Sequence, residues 1–166
     1  MIRRAFLALG AWAILTGCGA KSAEPDAFYY LVRHAEKTTE KSDPALTPVG
    51  KKRALDLAAR LKDVPLTAIY SSDYIRTRDT AAPIAAAAGL EVKLYDPRDL
   101  DSFAKTLLAE NGHILVVGHS NTTPPLSALL GGPEGEPIVE ATEYDRLYVV
   151  ERTGVAVSGI IERYGD

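Results

Sequence analysis

Tyr29-Tyr30-Leu31-Val32-Arg33-His34-Ala35-Glu36-Lys37 is the stretch whose reading decides the fold. An apolar run rich in strand formers stops abruptly at Arg-His and continues in polar residues. A buried strand that carries two reactive side chains to the end of a sheet has this pattern. The strand is expected over about Ala27–Val32. Taken alone, Arg33-His34 is either a nucleophile facing an anion or an ordinary loop pair, and the rest of the chain has to decide.

Downstream, strand and helix patterns alternate. Thr47-Pro48 opens a helix, with threonine as cap and proline at the first helical position. Ala54, Leu57, Ala58 and Leu61 repeat at helical spacing, and Pro65 closes it. Thr67–Tyr70 is a second short strand ending at Ser71-Ser72. A helix from Asp73 carries Arg76, Arg78 and Thr80 and runs to a capping Gly89; Pro83 inside it should kink or break it. Glu91–Tyr95 alternates as a third strand, Asp96-Pro97-Arg98-Asp99 turns out of it, and Asp101–Glu110 forms a short helix with Phe103, Leu107 and Leu108 inward. His113–Gly118 is the most hydrophobic strand and should lie centrally. It too ends in histidine, His119-Ser120-Asn121, before a helix from Thr122 or Thr123 to Leu130. The loop Gly131–Pro137 precedes two closing strands, Leu147–Val150 and Val155–Ile161, joined as a hairpin through Arg152-Thr153-Gly154. The expected fold is a three-layer α/β sandwich with a mainly parallel sheet and an antiparallel edge.

Ligands of open α/β sheets bind beyond the carboxyl ends of the strands. Topology alone therefore steers Arg33, His34, Arg76 and His119 toward one crevice. Arginine forks match phosphate oxygens. A neutral imidazole can attack phosphorus and hold the phosphoryl group covalently, while a second, protonated histidine would offset charge on the equatorial oxygens. Against this background, His113 is read as a rim residue, Arg78 and Arg146 as solvated charges, and Tyr29 and Tyr30 as packing. No cluster has metal-ligand spacing, and the chemistry needs no cofactor.

The N-terminus points to export. Met1-Ile2-Arg3-Arg4 is basic, Ala5–Leu15 is apolar but short for a membrane span, and Leu15-Thr16-Gly17-Cys18 follows. Cys18 is the single cysteine of the chain, so no internal disulfide can form. Leu15-Thr16-Gly17-Cys18 resembles the lipobox of bacterial lipoproteins. That resemblance implies a signal peptide over 1–17, a lipid on Cys18 with a tether over 18–26, and one domain over 27–166. The protein would be anchored in the cell envelope facing the periplasm, on the outer membrane if the source is a diderm bacterium. The whole chain of 166 residues has a net charge of −3, and the segment that would be removed holds two arginines and no acids, so the remaining body is more acidic still. A net acidic body excludes a nucleic-acid partner, so any anion must be caught by locally placed arginines.

Arg33-His34-Ala35-Glu36, Ser72-Asp73-Tyr74-Ile75-Arg76 leading to Thr80-Ala81, and Gly118-His119-Ser120-Asn121 together resemble the histidine phosphatase superfamily (phosphoglycerate mutase-like). Leu46-Thr47-Pro48-Val49-Gly50 adds to the resemblance, which runs from Phe28 to about Leu130. It implies that His34 becomes phosphorylated, that Arg33, Arg76 and His119 cradle the phosphate, and that Asn121 assists as a donor. The family's usual glycine after Arg-His is Ala35 here, a small change if its backbone is not left-handed. Mutase-branch members place an acidic proton donor shortly after the third strand, where this chain has Asp99; Asp96, Asp101 and Glu36 are rivals. The expected function is hydrolysis of a phosphorylated small molecule or phosphoprotein. The alternatives are a phosphohistidine phosphatase, a mutase (for which the chain lacks the long inserts) or a catalytically silent phosphate- or partner-binding lipoprotein.

Overall fold

The structure, a computed structural model, describes residues 24–165. Cys18 and the export segment lie outside the described residues. The elements follow in the order β1 (Ala27–Arg33), α1 (Pro48–Arg60), β2 (Leu66–Ser72), α2 (Ile75–Ala88), β3 (Val92–Tyr95), α3 (Leu100–Ala109), β4 (Gly112–Gly118), α4 (Thr123–Leu129), β5 (Arg146–Thr153) and β6 (Ala156–Arg163). They build one six-stranded sheet in the order β3-β2-β4-β1-β5-β6. The first four of these run parallel, and β5 and β6 each pair antiparallel with the preceding strand in that order. The expected mixed sheet is present, with β4 in its interior.

Period-two alternation divides the core into two halves. Tyr29 and Leu31 of β1, Tyr70 of β2 and Ile114 and Val116 of β4 face one side. There they pack against Phe103, Ala104 and Leu107 of α3 and against Leu126 and Leu130 at α4. Tyr30, Val32, Ile69, Leu115 and Val117 face the other side, under Leu57 and Leu61 of the α1 region and Ala81, Ile84 and Ala85 of α2. Strands apolar on both faces are what a parallel sheet sandwiched between helices requires. Tyr29 and Tyr30 are buried in this packing, as their alternation indicated.

Local signals account for most boundaries. Thr47 caps α1 by accepting a hydrogen bond from Gly50 N–H (3.0 Å), with Pro48 at the first turn. Gly89 ends α2 in a left-handed conformation (φ 66°). Three expectations fail. Pro83 does not break α2, which runs through it. Asp79, whose carbonyl loses its helical donor, is exposed and can be served by water, while the buried face of Thr77, Thr80, Ala81 and Ile84 holds the helix on the sheet. Leu108 is exposed rather than inward. Arg146 is buried rather than solvated, because Glu143 meets its guanidinium at 2.7 and 2.8 Å.

Candidate active site

The parallel register of β1 and β4 creates the site. Ala27 pairs with Gly112 and Arg33 with Gly118, so the residue after each strand, His34 and His119, emerges at the same level. The ladder continues one step further, with His34 N–H donating to Gly118 O (2.9 Å). Their rings meet edge to face, with centroids 5.5 Å apart. α2 begins just after β2 and brings Arg76 over the same end. Thr80 ties that helix to β1, accepting from Ala35 N–H (3.0 Å) and donating to Arg76 O (2.7 Å). Thr123 donates to Val32 O (3.2 Å) and Thr122 accepts from His119 N–H (2.9 Å), which pins the β4–α4 turn. The side chains of these three threonines anchor the backbones that carry the functional groups; sequence reasoning used two of them only as helix-start signals.

Hydrogen bonding fixes the tautomer of each histidine. His34 Nδ1 lies 2.8 Å from Ala35 O. A carbonyl only accepts, so Nδ1 carries the proton and Nε2 keeps a free lone pair. Burial, followed by the charges of Arg33, Arg76 and His119, outweighs that bond and lowers the imidazole to about 3. His34 is therefore neutral at neutral pH, the form a nucleophile needs. At His119, Ser72 Oγ lies 2.8 Å from Nε2 and also 3.1 Å from Thr77 Oγ1, which donates onward to the carbonyls of Ser72 and Tyr74. This relay has His119 Nε2–H donating to Ser72, and leaves Nδ1 as acceptor toward Arg76 Nη2 (3.5 Å). Burial first, then Arg76 and Arg33, lower His119 to about 4. The expected protonated second histidine is thus neutral, held so by burial and by the two neighbouring arginines.

Those arginines are held in place but not saturated. Arg33 is 1% exposed; its Nη1 donates to Glu143 O (2.9 Å) and its guanidinium lies 4.0 Å above the Tyr144 ring. Its Nε and Nη2, and Nε of Arg76, are buried without a hydrogen-bond partner. Arg76 stacks on Tyr74 at 4.4 Å and faces Asp43 at 3.6 Å. Buried cations with unmet donors make an anion site, since each is costly until an anion arrives.

His34, Lys37, Tyr74, Arg76, Pro97, Arg98, His119, Ser120, Asn121, Thr122 and Glu140 line a cavity of about 410 Å³ at this end of the sheet. Arg33 is off this lining, buried behind it with Nη2 3.9 Å from Glu140 Oε1. Asn121 is exposed and lines the cavity. Ala35 is buried with negative φ, so its methyl costs no backbone strain.

The four expected carboxylates are elsewhere. Asp99 does not line the cavity; its Oδ1 caps α3 by accepting from Ser102 N–H (3.1 Å). Asp96 holds Arg98 at 2.9 Å through both oxygens, which keeps it well below the usual carboxylate range at about 2. Asp101 occupies the first turn of α3, where a helix favours negative charge. Glu36 is bound by Arg53 at 2.8 and 3.0 Å. The acid on the cavity is Glu140, on the loop between α4 and β5, which the sequence reading had not considered. His113 sits at the rim as expected, stacked on Phe28, and Arg78 pairs at the surface with Asp73. Among the described residues no three of His, Cys, Asp and Glu come together as a metal site.

The fold and its cavity define a class: α/β sandwiches that present paired histidines and arginines at the carboxyl ends of parallel strands. Comparison with known proteins narrows it. Residues 29–97 match the model of the histidine phosphatase superfamily (branch 1). The chain is 36% identical over 124 residues to "Probable phosphoglycerate mutase GpmB" of Escherichia fergusonii, an alignment covering 69% of this chain and 57% of that protein. It thus spans little more than half the length of the curated relatives it matches. In fold it resembles a mycobacterial glucosyl-3-phosphoglycerate phosphatase (TM-score 0.63, 14% identity, 82% of this chain and 97% of that one). It also resembles phosphoserine phosphatase of Entamoeba histolytica (TM-score 0.57, 18% identity, 84% and 97%). The family-model match and the curated relatives support the histidine phosphatase superfamily, phosphoglycerate mutase-like, for this chain.

Proposed function

We propose that this chain is a phosphomonoester hydrolase that works through a phosphohistidine on His34. The observation that carries the reading is a neutral, Nδ1-protonated imidazole set beside buried arginine nitrogens that lack any partner. A phosphate dianion supplies what Arg33 Nε and Nη2 and Arg76 Nε are missing, and its phosphorus then faces the His34 Nε2 lone pair. Arg33 and Arg76 hold the equatorial oxygens as charge shifts onto them, and Asn121 adds a donor at the rim; His119 joins them when the incoming dianion offsets the two arginines and a proton is taken up on Nδ1. Water then attacks the phosphohistidine and releases phosphate. Assay of phosphate release from p-nitrophenyl phosphate tests this, with wild type active and His34→Ala inactive. Binding of inorganic phosphate without turnover would instead mark a silent phosphate-binding protein.

The proposal includes a lipid on Cys18 as the membrane anchor. Among the described residues no helix is long and apolar enough to cross a membrane. β1 starts at Ala27, at the end of the sheet opposite the cavity, so a tether would enter the domain away from the site. Cys18→Ser should abolish lipid labelling and membrane recovery; unchanged fractionation would defeat the anchor.

A further inference from the structure

We propose that Glu140 is the residue that protonates the leaving oxygen and later takes the proton of the attacking water. The assignment rests on the phosphatase reading above. Glu140 is the carboxylate among the residues lining the His34 cavity. Each acid offered by the sequence has its carboxylate committed or lies off that lining: Asp96 to Arg98, Asp99 to the α3 cap, Asp101 outside the cavity, Glu36 to Arg53. Asp43 accepts from Ile75 N–H (2.9 Å) and is also off the lining. Glu140 differs from all of them. Its Oε1 stands 3.9 Å from Arg33 Nη2, beyond hydrogen-bond range, and its side chain is 72% exposed at the cavity mouth. It is near enough to act and not bound in place.

The contact with Arg33 also explains how the acid would be loaded. Arg33 Nη2 has no hydrogen bond, so an entering phosphate takes that nitrogen and leaves Glu140 facing a dianion. Like charges sharing a site favour taking up a proton. In the first step the Nε2 lone pair of His34 forms the N–P bond, the P–O bond to the leaving group breaks, and the Glu140 carboxyl proton passes to that oxygen. In the second step water oxygen forms the new P–O bond while Glu140 carboxylate accepts its proton. The N–P electron pair returns to Nε2.

An acid matters in proportion to the basicity of the oxygen that leaves, worth about 10²–10⁴-fold when that oxygen is poor at leaving. The test compares wild type, Glu140→Gln and Asp99→Asn on phenyl phosphate and p-nitrophenyl phosphate, which fit one cavity but differ in leaving-group basicity. Glu140→Gln should lose on the order of 10²-fold in kcat/KM, which reports transfer to His34 rather than the hydrolysis common to both esters, on phenyl phosphate and under about tenfold on p-nitrophenyl phosphate. Asp99→Asn should keep the wild-type ratio between the two esters. Equal losses on both esters, no loss, or the selective loss appearing in Asp99→Asn would overturn the assignment with the phosphatase reading intact. A wild type that hydrolyses neither ester would overturn both.

Discussion

Replacing His34 with glutamine should flatten the acid dependence of stability. The native imidazole is lowered by burial to about 3, against an ordinary value of 6.5. Between those two values the unfolded chain binds a proton that the native state refuses. Unfolding is therefore favoured as pH falls through 6.5, and stability rises again with pH. From pH 7 to pH 5 this single group costs about 2 kcal/mol, because unfolded histidine is mostly protonated at pH 5 and native His34 is not. The carboxylates and His119 titrate in both proteins, so the difference between wild type and variant isolates His34. Urea denaturation at both pH values gives it: the wild-type loss should exceed that of His34→Gln by about 2 kcal/mol. Equal losses would mean that His34 titrates in the native state as it does in water. The neutral nucleophile would then have no basis in burial.

Inorganic phosphate should stabilise the wild-type fold by about 2.7 kcal/mol at a hundredfold excess over its Kd, seen as a higher Tm. Arg33→Met should remove that gain, and an unchanged phosphate effect in the variant would exclude Arg33 from the anion site. Gly50→Ala should destabilise the chain by about 1–3 kcal/mol in thermal melts, since a Cβ there would stand 2.1 Å from Glu36 O. A Tm equal to wild type would show that the α1 start and the segment after His34 are not packed as described.

The convergence of the site was legible because it depends on the backbone. Two apolar strands that each end in histidine must bring those histidines together once they pair in parallel register, and a helix starting after β2 delivers Arg76 to the same end. Side-chain commitments were less legible. Asp99 sits where a helix N-cap is favoured, three residues before Ser102, and that local signal would have argued against a free acid. Glu140, Glu143 and Tyr144 come from a loop of irregular backbone, where no periodicity tells which side chain turns toward Arg33. The neutral state of His119 was hidden too. It depends on burial and on the nearness of Arg76 and Arg33, neither of which spacing reveals. Pro83 shows the same limit in the opposite direction, since packing against the sheet overrides a strong local helix breaker.

The central claim is that His34 carries the phosphoryl group between substrate and water. Mixing the protein with p-nitrophenyl phosphate, quenching in alkali and mapping the trapped modification by mass spectrometry tests it directly. A phosphoryl group should be found on the peptide containing His34, stable in base and lost in acid as a phosphoramidate must be, and it should be missing from His34→Ala. Turnover with no phosphoryl group on His34, or with the group on His119, would contradict the account.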